Sequence, residues 1–355
     1  MNTEQLYNDA VDLLKQLIST PSFSKGEDKT AAIIEQFFTS KNIPSNRLLN
    51  NIWCVNKYFN ETKPTILLNS HHDTIKPNSQ YTKDPFAAII EDGKLYGLGS
   101  NDAGGCLVSL IAAFVYFCNN ENLKYNIVLT ATAEEEISGV NGIEKLLPVI
   151  PVIDFAIVGE PTLTNLAIAE KGLLVLDCTA TGKAGHATRE EGDNAIYKAM
   201  LEINWFQTYQ FPKISETLGP VKMSVTSINT GNKAHNIVPA ECSFVVDIRV
   251  TDEYSHEEIV ETIKQHVSSE VKPRSTRLRS SKIDRDHPVV QAGIKLGKQT
   301  YGSPTTSDAA LIPVPVLKCG PGDSARSHTA DEFIYLEEIK EGINTYIQIL
   351  DQVLC

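Results

Sequence analysis

The sequence predicts an α/β protein, with a mixed, largely parallel sheet flanked by helices and a smaller α+β sandwich domain inserted into it. Residues 1 to about 160 alternate helical patterns with short continuous apolar runs, which are typical of strands covered on both faces. From about Leu173 the strands alternate apolar and polar residues, as in a sheet with one open face. After about residue 285 the first pattern returns, so we expect the chain to re-enter its first domain.

Periodicity predicts the elements of the first domain. Its predicted helices are Leu6–Ile18, Thr30–Thr39, GGCLVSLIAAFVYF, one from Pro288 and one from Tyr335. Its predicted strands are PTILLNS, YNIVLTATA, DFAIVGE and PVPVLKCG.

The inserted domain is predicted from three strands and two helices. The strands are LLVLDCTATG, VKMSVTSINTG and CSFVVDIRV, and the helices are DNAIYKAMLEINWFQTY and SHEEIVETIKQHV. The basic stretch Lys272–Pro288 is interpreted as a linker. We therefore expect a first domain over residues 1–172 and 285–355, and an inserted domain over residues 173–284.

Composition narrows the classes of function. The chain has 355 residues, 42% of them hydrophobic, and a net charge of −12. An acidic protein with scattered basic residues repels nucleic acid and anionic membranes, so a small-molecule substrate is the expected partner. Seven widely spaced cysteines without a C-x-x-C pair are typical of reduced thiols, and the N-terminus lacks the pattern of a signal peptide. No run approaches the roughly 18 consecutive apolar residues of a membrane span. We expect a cytoplasmic protein.

Side chains that bind metals follow the predicted strands. They are His71, His72 and Asp73 after ILLNS, Glu134, Glu135 and Glu136 after IVLTATA, Glu160 after FAIVG, His328 after VPVLKCG, and Asp102 in the loop GLGSNDAGG. Because the carboxyl ends of strands in an open α/β sheet share one crevice, these side chains are expected to converge. Taken singly, each has a simpler explanation: Asp102 suits a helix N-cap, and three glutamates often form a solvated face. Their joint arrangement favours a functional site, because charged side chains beside a buried strand need polar or oppositely charged partners.

The residue types in this cluster predict a metal centre. Imidazole and carboxylate ligands suit zinc, cobalt and manganese better than copper(I). Two neutral imidazoles and carboxylates from three loops are more ligands than a single catalytic zinc normally binds. We expect two divalent ions about 3.5 Å apart that share one carboxylate, with Asp102, alone on its loop, as the bridge. The residue types alone leave the choice among zinc, cobalt and manganese open.

Six motifs, in order along nearly the whole chain, carry a family resemblance: SHHDTIKP, LYGLGSNDAGG, TAEEEISG, VGEPT, GKAGHAT and SHTADEFI. They resemble the di-zinc amidohydrolases that include acetylornithine deacetylase, succinyl-diaminopimelate desuccinylase, carboxypeptidase G and aminoacylase. GLGSNDAGG departs from the family in lacking its usual arginine and lysine. The resemblance is closest to acetylornithine deacetylase, which implies hydrolysis of the amide bond of an N-acyl amino acid, N-acetylornithine in arginine biosynthesis.

The resemblance also implies roles for the metal ligands. His71 and Glu160 would hold one ion, Glu136 and His328 the other, and Asp102 would bridge them. His72 falls at a variable position of the family and is not expected to be a ligand.

Three further residues would serve the reaction. Asp73 would orient His71 through its far ring nitrogen. Glu135 would act as general base and later deliver the proton to the leaving amine. His186 would stabilise the oxyanion from the inserted domain of a partner subunit, which implies a homodimer formed through that domain.

The substrate would contact a separate set of residues: Arg249 with Asn236, the backbone amides of Gly320 and Gly322, and Arg326. A salt bridge within the inserted domain is the alternative for Arg249. Lys171, Arg189 or Arg326 could bind the distal carboxylate of a succinyl group.

Several alternatives stay open at this point. Desuccinylation of N-succinylornithine or N-succinyl-diaminopimelate, hydrolysis of an N-acyl-citrulline, and an aminopeptidase or dipeptidase of the same fold share the metal motifs. A dinucleotide-dependent oxidoreductase is disfavoured, because Asp102 stands where the third glycine of G-x-G-x-x-G should be. A non-catalytic relative is disfavoured because every ligand and Glu135 are present.

Overall fold

The fold is that of a computed structural model, which describes residues 2–189 and 191–355. Its α-helices are α1 Thr3–Ile18, α2 Asp28–Ser40, α3 Gly105–Phe117, α4 Ile143–Leu146, α5 Ala195–Thr208, α6 His256–Lys264, α7 Pro288–Lys295 and α8 Leu336–Leu354. Its strands are β1 Asn46–Leu48, β2 Asn51–Val55, β3 Thr65–His71, β4 Ile89–Glu91, β5 Lys94–Tyr96, β6 Asn126–Thr132, β7 Phe155–Val158, β8 Leu166–Glu170, β9 Gly172–Thr181, β10 Gly185–His186, β11 Lys222–Asn229, β12 Ile237–Val238, β13 Glu241–Val250, β14 Glu270–Pro273, β15 Ser281–Lys282, β16 Thr300–Ser303, β17 Val316–Lys318 and β18 Phe333–Tyr335.

The chain divides into two compact units. The first comprises Met1–Ala169, Lys282–Tyr301 and Ser307–Cys355, and the second comprises Glu170–Ser281 with the short return Gly302–Thr306. The sequence placed these boundaries after residues 172 and 284, and it gave no sign of the return.

The first unit is built on a mixed sheet of nine strands, in the order β1-β2-β6-β3-β7-β17-β8-β15 with β16 beside β8. The central strands β6, β3, β7 and β17 run parallel, and β2 is antiparallel to β6. Every residue of β3 and β6 is buried, as expected for strands covered on both faces. The predicted fold class is confirmed.

Alternate residues of β3 serve two separate cores. Ile66 and Leu68 join the cluster formed with α1, α3 and α8, whereas Leu67 joins Val128 and Ile143 on the other face. Burying each of these side chains stabilises the fold by about 1.5–3 kcal/mol. The two-sided packing fixes the strand register and therefore the position of His71 at its end.

One helical segment, Ser100–Phe117, is long and apolar enough to cross a membrane by length and composition. However, 89% of this segment is buried inside the protein. Its apolar character serves the core, where α3 packs against α1 and α8.

The second unit contains a four-stranded antiparallel sheet in the order β11-β13-β9-β14. Buried residues alternate along β9 and β13, and their buried face packs with α5 and α6 into a separate core. The linker predicted at Lys272–Pro288 was wrong in part. It includes the end of β14, which pairs with β9, because Val271 is buried and Arg274 binds Asp177 at 2.8 Å.

A small three-stranded sheet of the first unit, β18-β5-β4, was missed by the sequence analysis because its strands are only three residues long. Pairing of Phe333 with Tyr96 brings the C-terminal segment beside the loop that carries Asp102. This sheet therefore helps to position the Asp102 loop.

Candidate metal centre

The candidate ligands gather at the carboxyl ends of the central strands. His71 is the last residue of β3 and pairs in register with Thr132, the last residue of β6, which precedes the glutamate turn. Glu160 follows β7, whose Val158 pairs with Asn69. The expected convergence of these loops is what the structure shows.

Asp102 lies between the two histidines. Its Oδ1 is 3.4 Å from Nε2 of His71, and its Oδ2 is 3.7 Å from Nε2 of His328. Asp102 does not cap α3, whose N-cap residue is Gly104. One oxygen thus faces each imidazole, which is the arrangement that a bridging carboxylate requires.

The remaining ligand candidates complete two groups. Nε2 of His71 is 3.8 Å from Glu160 Oε1 and 3.8 Å from Glu135 Oε2, and Nε2 of His328 is 3.0 Å from Glu136 Oε2. Among the described residues, two sets place their ligand atoms within 4.8 Å of one another: His71, Asp102 and Glu136, and His71, Glu135 and Glu160.

Asp73 joins a histidine to the glutamate turn. Its Oδ1 lies 3.4 Å from Nδ1 of His71, and its backbone oxygen lies 3.0 Å from the same nitrogen. The N–H groups of Glu135 and Glu136 donate to its two carboxylate oxygens at 3.0 and 3.2 Å, and Ser24 donates its hydroxyl at 2.6 Å. Asp73 can therefore fix the ring of His71 and the next two carboxylates together.

The three consecutive glutamates differ in direction. Glu134 adopts φ +57°, donates its N–H to Glu27 and accepts a hydrogen bond from Asn141, so its side chain is held in the protein interior. Glu135 and Glu136 reach the histidines instead.

His72 is held away from the site in a buried polar pocket. Its Nδ1 contacts Thr30 Oγ1 and its Nε2 contacts the Asn50 carbonyl, each at 2.9 Å. Burial lowers the pKa of His72 to about 4, so it is a neutral structural residue.

Electrostatics show that the cluster needs positive charge. Burial would lower the pKa of His71, but the carboxylates around it, Glu135 foremost, raise it well above its ordinary value. The hydrogen bond to Glu136 raises the pKa of His328 to about 9. Burial raises the pKa of Glu135 well above its ordinary value. Divalent cations would supply the positive charge that protons provide here.

The residues present fit metal ions. Nε2 of His71 is buried and has no hydrogen-bond partner among residues 2–189 and 191–355, although its Nδ1 is oriented by Asp73. A buried imidazole with one nitrogen oriented and the other free, aimed at carboxylates, is the usual preparation of a ligand.

Two predicted substrate contacts of the first unit are already engaged. The N–H of Gly320 donates to Thr162 Oγ1 at 3.0 Å, so this amide is not free for a substrate. Arg326 binds Glu338 at 2.6 Å and lies over the ring of Phe333 at 4.9 Å, which neutralises its charge. Gly322 is buried, and its carbonyl accepts from Leu163.

The second unit holds the other predicted residues. His186 and Asn236 lie at the β10–β12 ladder, where Ala187 donates its N–H to the Asn236 carbonyl. Arg249 binds Asp247 through two hydrogen bonds at 2.9 and 3.1 Å, which is the ion pair weighed as its alternative.

Buried polar residues that the sequence analysis did not single out surround the ligands. Asp308 accepts from Asn69 at 2.9 Å and from Thr132 at 2.7 Å, beneath the ends of β3 and β6. Glu332 accepts three backbone N–H groups from the Asp102 loop. Glu332 lies in the quoted motif SHTADEFI, but a motif does not show which backbone groups a side chain binds.

Comparisons with known proteins show the family to which the chain belongs. Residues 67–352 match Peptidase family M20/M25/M40, so the chain belongs to this family of metal-dependent hydrolases. The family resemblance inferred from the motifs is thereby confirmed.

Individual relatives are similar over most of their length. A succinyl-diaminopimelate desuccinylase from Acidiphilium cryptum (strain JF-5) is 27% identical over 80% of this chain and 81% of its own. The aminopeptidase PepT from Bacillus cereus ATCC 10987 has a TM-score of 0.76 at 19% identity, covering 99% of both chains. A dinuclear metal-binding M20 peptidase from Bacillus subtilis has a TM-score of 0.73 at 16% identity, covering 99% of this chain and 98% of that one.

Proposed function

We propose that the protein cleaves the amide bond of an N-acyl amino acid with the help of two divalent metal ions. The observation that carries this proposal is the position of Asp102, with one oxygen facing His71 and the other facing His328. His71 and Glu160 would hold one ion, Glu136 and His328 the other, and Asp102 both. Bound divalent ions, zinc first and cobalt as the alternative, polarise a carbonyl and lower the pKa of water.

Glu135 is the proposed general base. Asp73 fixes the backbone of Glu135. The carboxylates of Glu135 and Glu160 lie equally close to His71 Nε2, so distance alone does not tell the base from the metal ligand. A carboxylate here can take a proton from the attacking water and deliver it to the departing amine. Metal retention in a Glu135 variant would separate the two roles.

A succinyl group is our first choice of acyl group, ahead of the acetyl group of N-acetylornithine that the motifs suggested. The relative from Acidiphilium cryptum supports this choice, since it is named a succinyl-diaminopimelate desuccinylase. The extra carboxylate needs a cation, and Arg326 is neutralised by Glu338. Lys171 and Arg189 stay candidates for this contact; burial lowers the pKa of Lys171, and so do Lys222 and Arg249 nearby, although Asp247 already binds Arg249.

A metal-reconstituted assay tests the substrate. Amine release would be measured with N-succinyl and N-acetyl derivatives of ornithine, citrulline and diaminopimelate, beside di- and tripeptides. We expect the highest kcat/KM with an N-succinyl amino acid. Faster hydrolysis of peptides would instead support the aminopeptidase alternative, and no hydrolysis of any amide by the loaded protein would refute the proposal.

We also propose a homodimer formed through the second unit. The exposed face of α5 carries Tyr197, Met200 and Leu201, and β11 forms an open edge of the four-stranded sheet. We expect light scattering to give twice the chain mass and Leu201→Glu to reduce it. Mixing a His186→Ala chain with an Asp102→Ala chain should restore partial activity if His186 acts across the interface; no restoration would contradict that role.

We also propose that the protein is cytoplasmic. All seven cysteines are free, and six of them are buried. Cell fractionation would test this location.

A further inference from the structure

The loop that carries Asp102 is held by two buried side chains outside the proposed ligand set, Asn101 and Glu332. Asn101 is 0% exposed and Glu332 is 2% exposed. Both belong to the first unit, and each connects this loop to the C-terminal segment that carries His328.

Glu332 binds the loop through its backbone. Its Oε1 accepts the N–H groups of Asn101 at 2.8 Å and Asp102 at 2.9 Å, and its Oε2 accepts the N–H of Gly99 at 3.0 Å. The carbonyl of Glu332 also accepts the N–H of Gly97 at 2.9 Å. A buried side chain whose two oxygens accept three backbone N–H groups fixes the direction of that backbone.

Asn101 binds the same C-terminal segment in the opposite sense. Its Oδ1 accepts the N–H of Asp323, and its Nδ2 donates to the carbonyl of Asp323, each at 3.0 Å. The side-chain amide of Asn101 therefore makes with Asp323 the two backbone hydrogen bonds that a neighbouring strand would make. Ser327, adjacent to His328, hydrogen-bonds to the side chain of Asp102.

The loop cannot hold itself in place with its own charged side chains. Where the resembling family carries arginine and lysine, this chain has Leu98 and Gly104. A Cβ atom added to Gly104 would overlap the carbonyl oxygen of Gly99, so a larger residue does not fit. The contacts of Asn101 and Glu332 therefore fix the backbone at Asp102 and at the residues that precede it.

We infer that Asn101 and Glu332 form a two-part clamp that positions Asp102 between His71 and His328, so that both metal sites assemble together. Neither residue touches a reacting atom, so both are positioning residues. The inference rests on the proposed function, because it assigns the clamp to the bridging ligand.

Metal titration tests the clamp directly. The wild type, Asn101→Ala and Glu332→Gln would first be freed of metal with a chelator. Each would then be titrated with Zn²⁺, followed by calorimetry, and with Co²⁺, followed by visible absorption. We expect the affinity for at least one ion to fall about 10- to 100-fold, as for other residues that orient ligands, and the Co²⁺ spectrum to change. In turnover assays kcat should fall while KM stays within about twofold. Asn101→Leu keeps most of the side-chain volume and loses the donor and the acceptor without adding charge, so it serves if the alanine variant does not fold.

Two matched controls separate positioning from loss of stability. Asn126, at the opposite end of β6 from the site, exchanges two hydrogen bonds of 2.8 Å with the backbone of Asn60. Glu202, in the second unit, accepts the N–H groups of Ser268 and Ser269 at 2.9 and 3.0 Å. Asn126→Ala and Glu202→Gln should lower Tm as much as the clamp variants and leave metal affinity unchanged.

The outcomes distinguish the clamp from the proposed function. If the wild type binds no divalent ion, the proposed function fails. If the wild type binds two ions and the clamp variants bind both with equal affinity, or the controls lose as much affinity as they do, the clamp alone is overturned.

Discussion

Asp73 Oδ1 lies 3.4 Å from Nδ1 of His71, and both side chains are buried at the end of the same strand. The same carboxylate accepts the N–H groups of Glu135 and Glu136, so one residue sets the direction of a histidine and of two glutamates. Few single substitutions should disturb the centre as much.

Asp73→Ala is therefore expected to lower metal affinity or kcat/KM by about 10- to 100-fold. Asp73→Asn should lose less, because it keeps an oxygen that can accept from the glutamate turn. Zn²⁺ titration and steady-state kinetics measure both effects. Asp154→Asn is the control, since Asp154 accepts the N–H of Thr65 at the far end of β3. Equal losses in the two positions would count against an orienting role for Asp73.

Glu135→Gln should retain both metal ions and lose turnover by about 10²- to 10⁴-fold, because the amide cannot accept the proton of water. Metal content by atomic absorption and kcat test this prediction. Glu134→Gln is the neighbouring control: it should cost about 1 kcal/mol of stability through the bond to Asn141, with kcat changed only a few-fold. A Glu135→Gln protein with one ion missing would make Glu135 a ligand instead.

Chelation should abolish amide hydrolysis and lower Tm, since the carboxylates around His71 then lack their cations. Adding Zn²⁺ at about 1,000 times its dissociation constant should stabilise the folded protein by about 4 kcal/mol. Calorimetry over a range of Zn²⁺ concentrations checks this. A Tm independent of Zn²⁺ would contradict metal binding, and His328→Ala should show a smaller Zn²⁺-dependent gain than the wild type.

Cys355 should be the thiol that reacts in the native protein, because it is exposed and the other six cysteines are buried. Burial raises the pKa of Cys178 and of Cys319 to about 12, which removes their thiolates at neutral pH. Titration with a thiol reagent should give one equivalent, and seven after unfolding. Cys355→Ser should remove the native equivalent; a second fast thiol in that variant would show that the core opens.

The sequence by itself determined the fold class, the long helices and central strands, and the loops that approach one another. These follow from the period of apolar residues and from the rule that parallel strands end at one edge. It missed β4, β5 and β18, because three-residue strands carry no period, and it placed a linker over part of β14.

Only the tertiary structure decided which polar side chains point where. Three consecutive glutamates look alike in sequence, yet Glu134 is held by Asn141, while Glu135 and Glu136 face the histidines. Glu338 forms an ion pair with Arg326, and Glu332 accepts hydrogen bonds from the Asp102 loop. The sequence does not show which of these groups meet in the fold. Apolar periodicity is a local property of a segment, whereas a hydrogen bond or ion pair depends on which segments the folded core brings together.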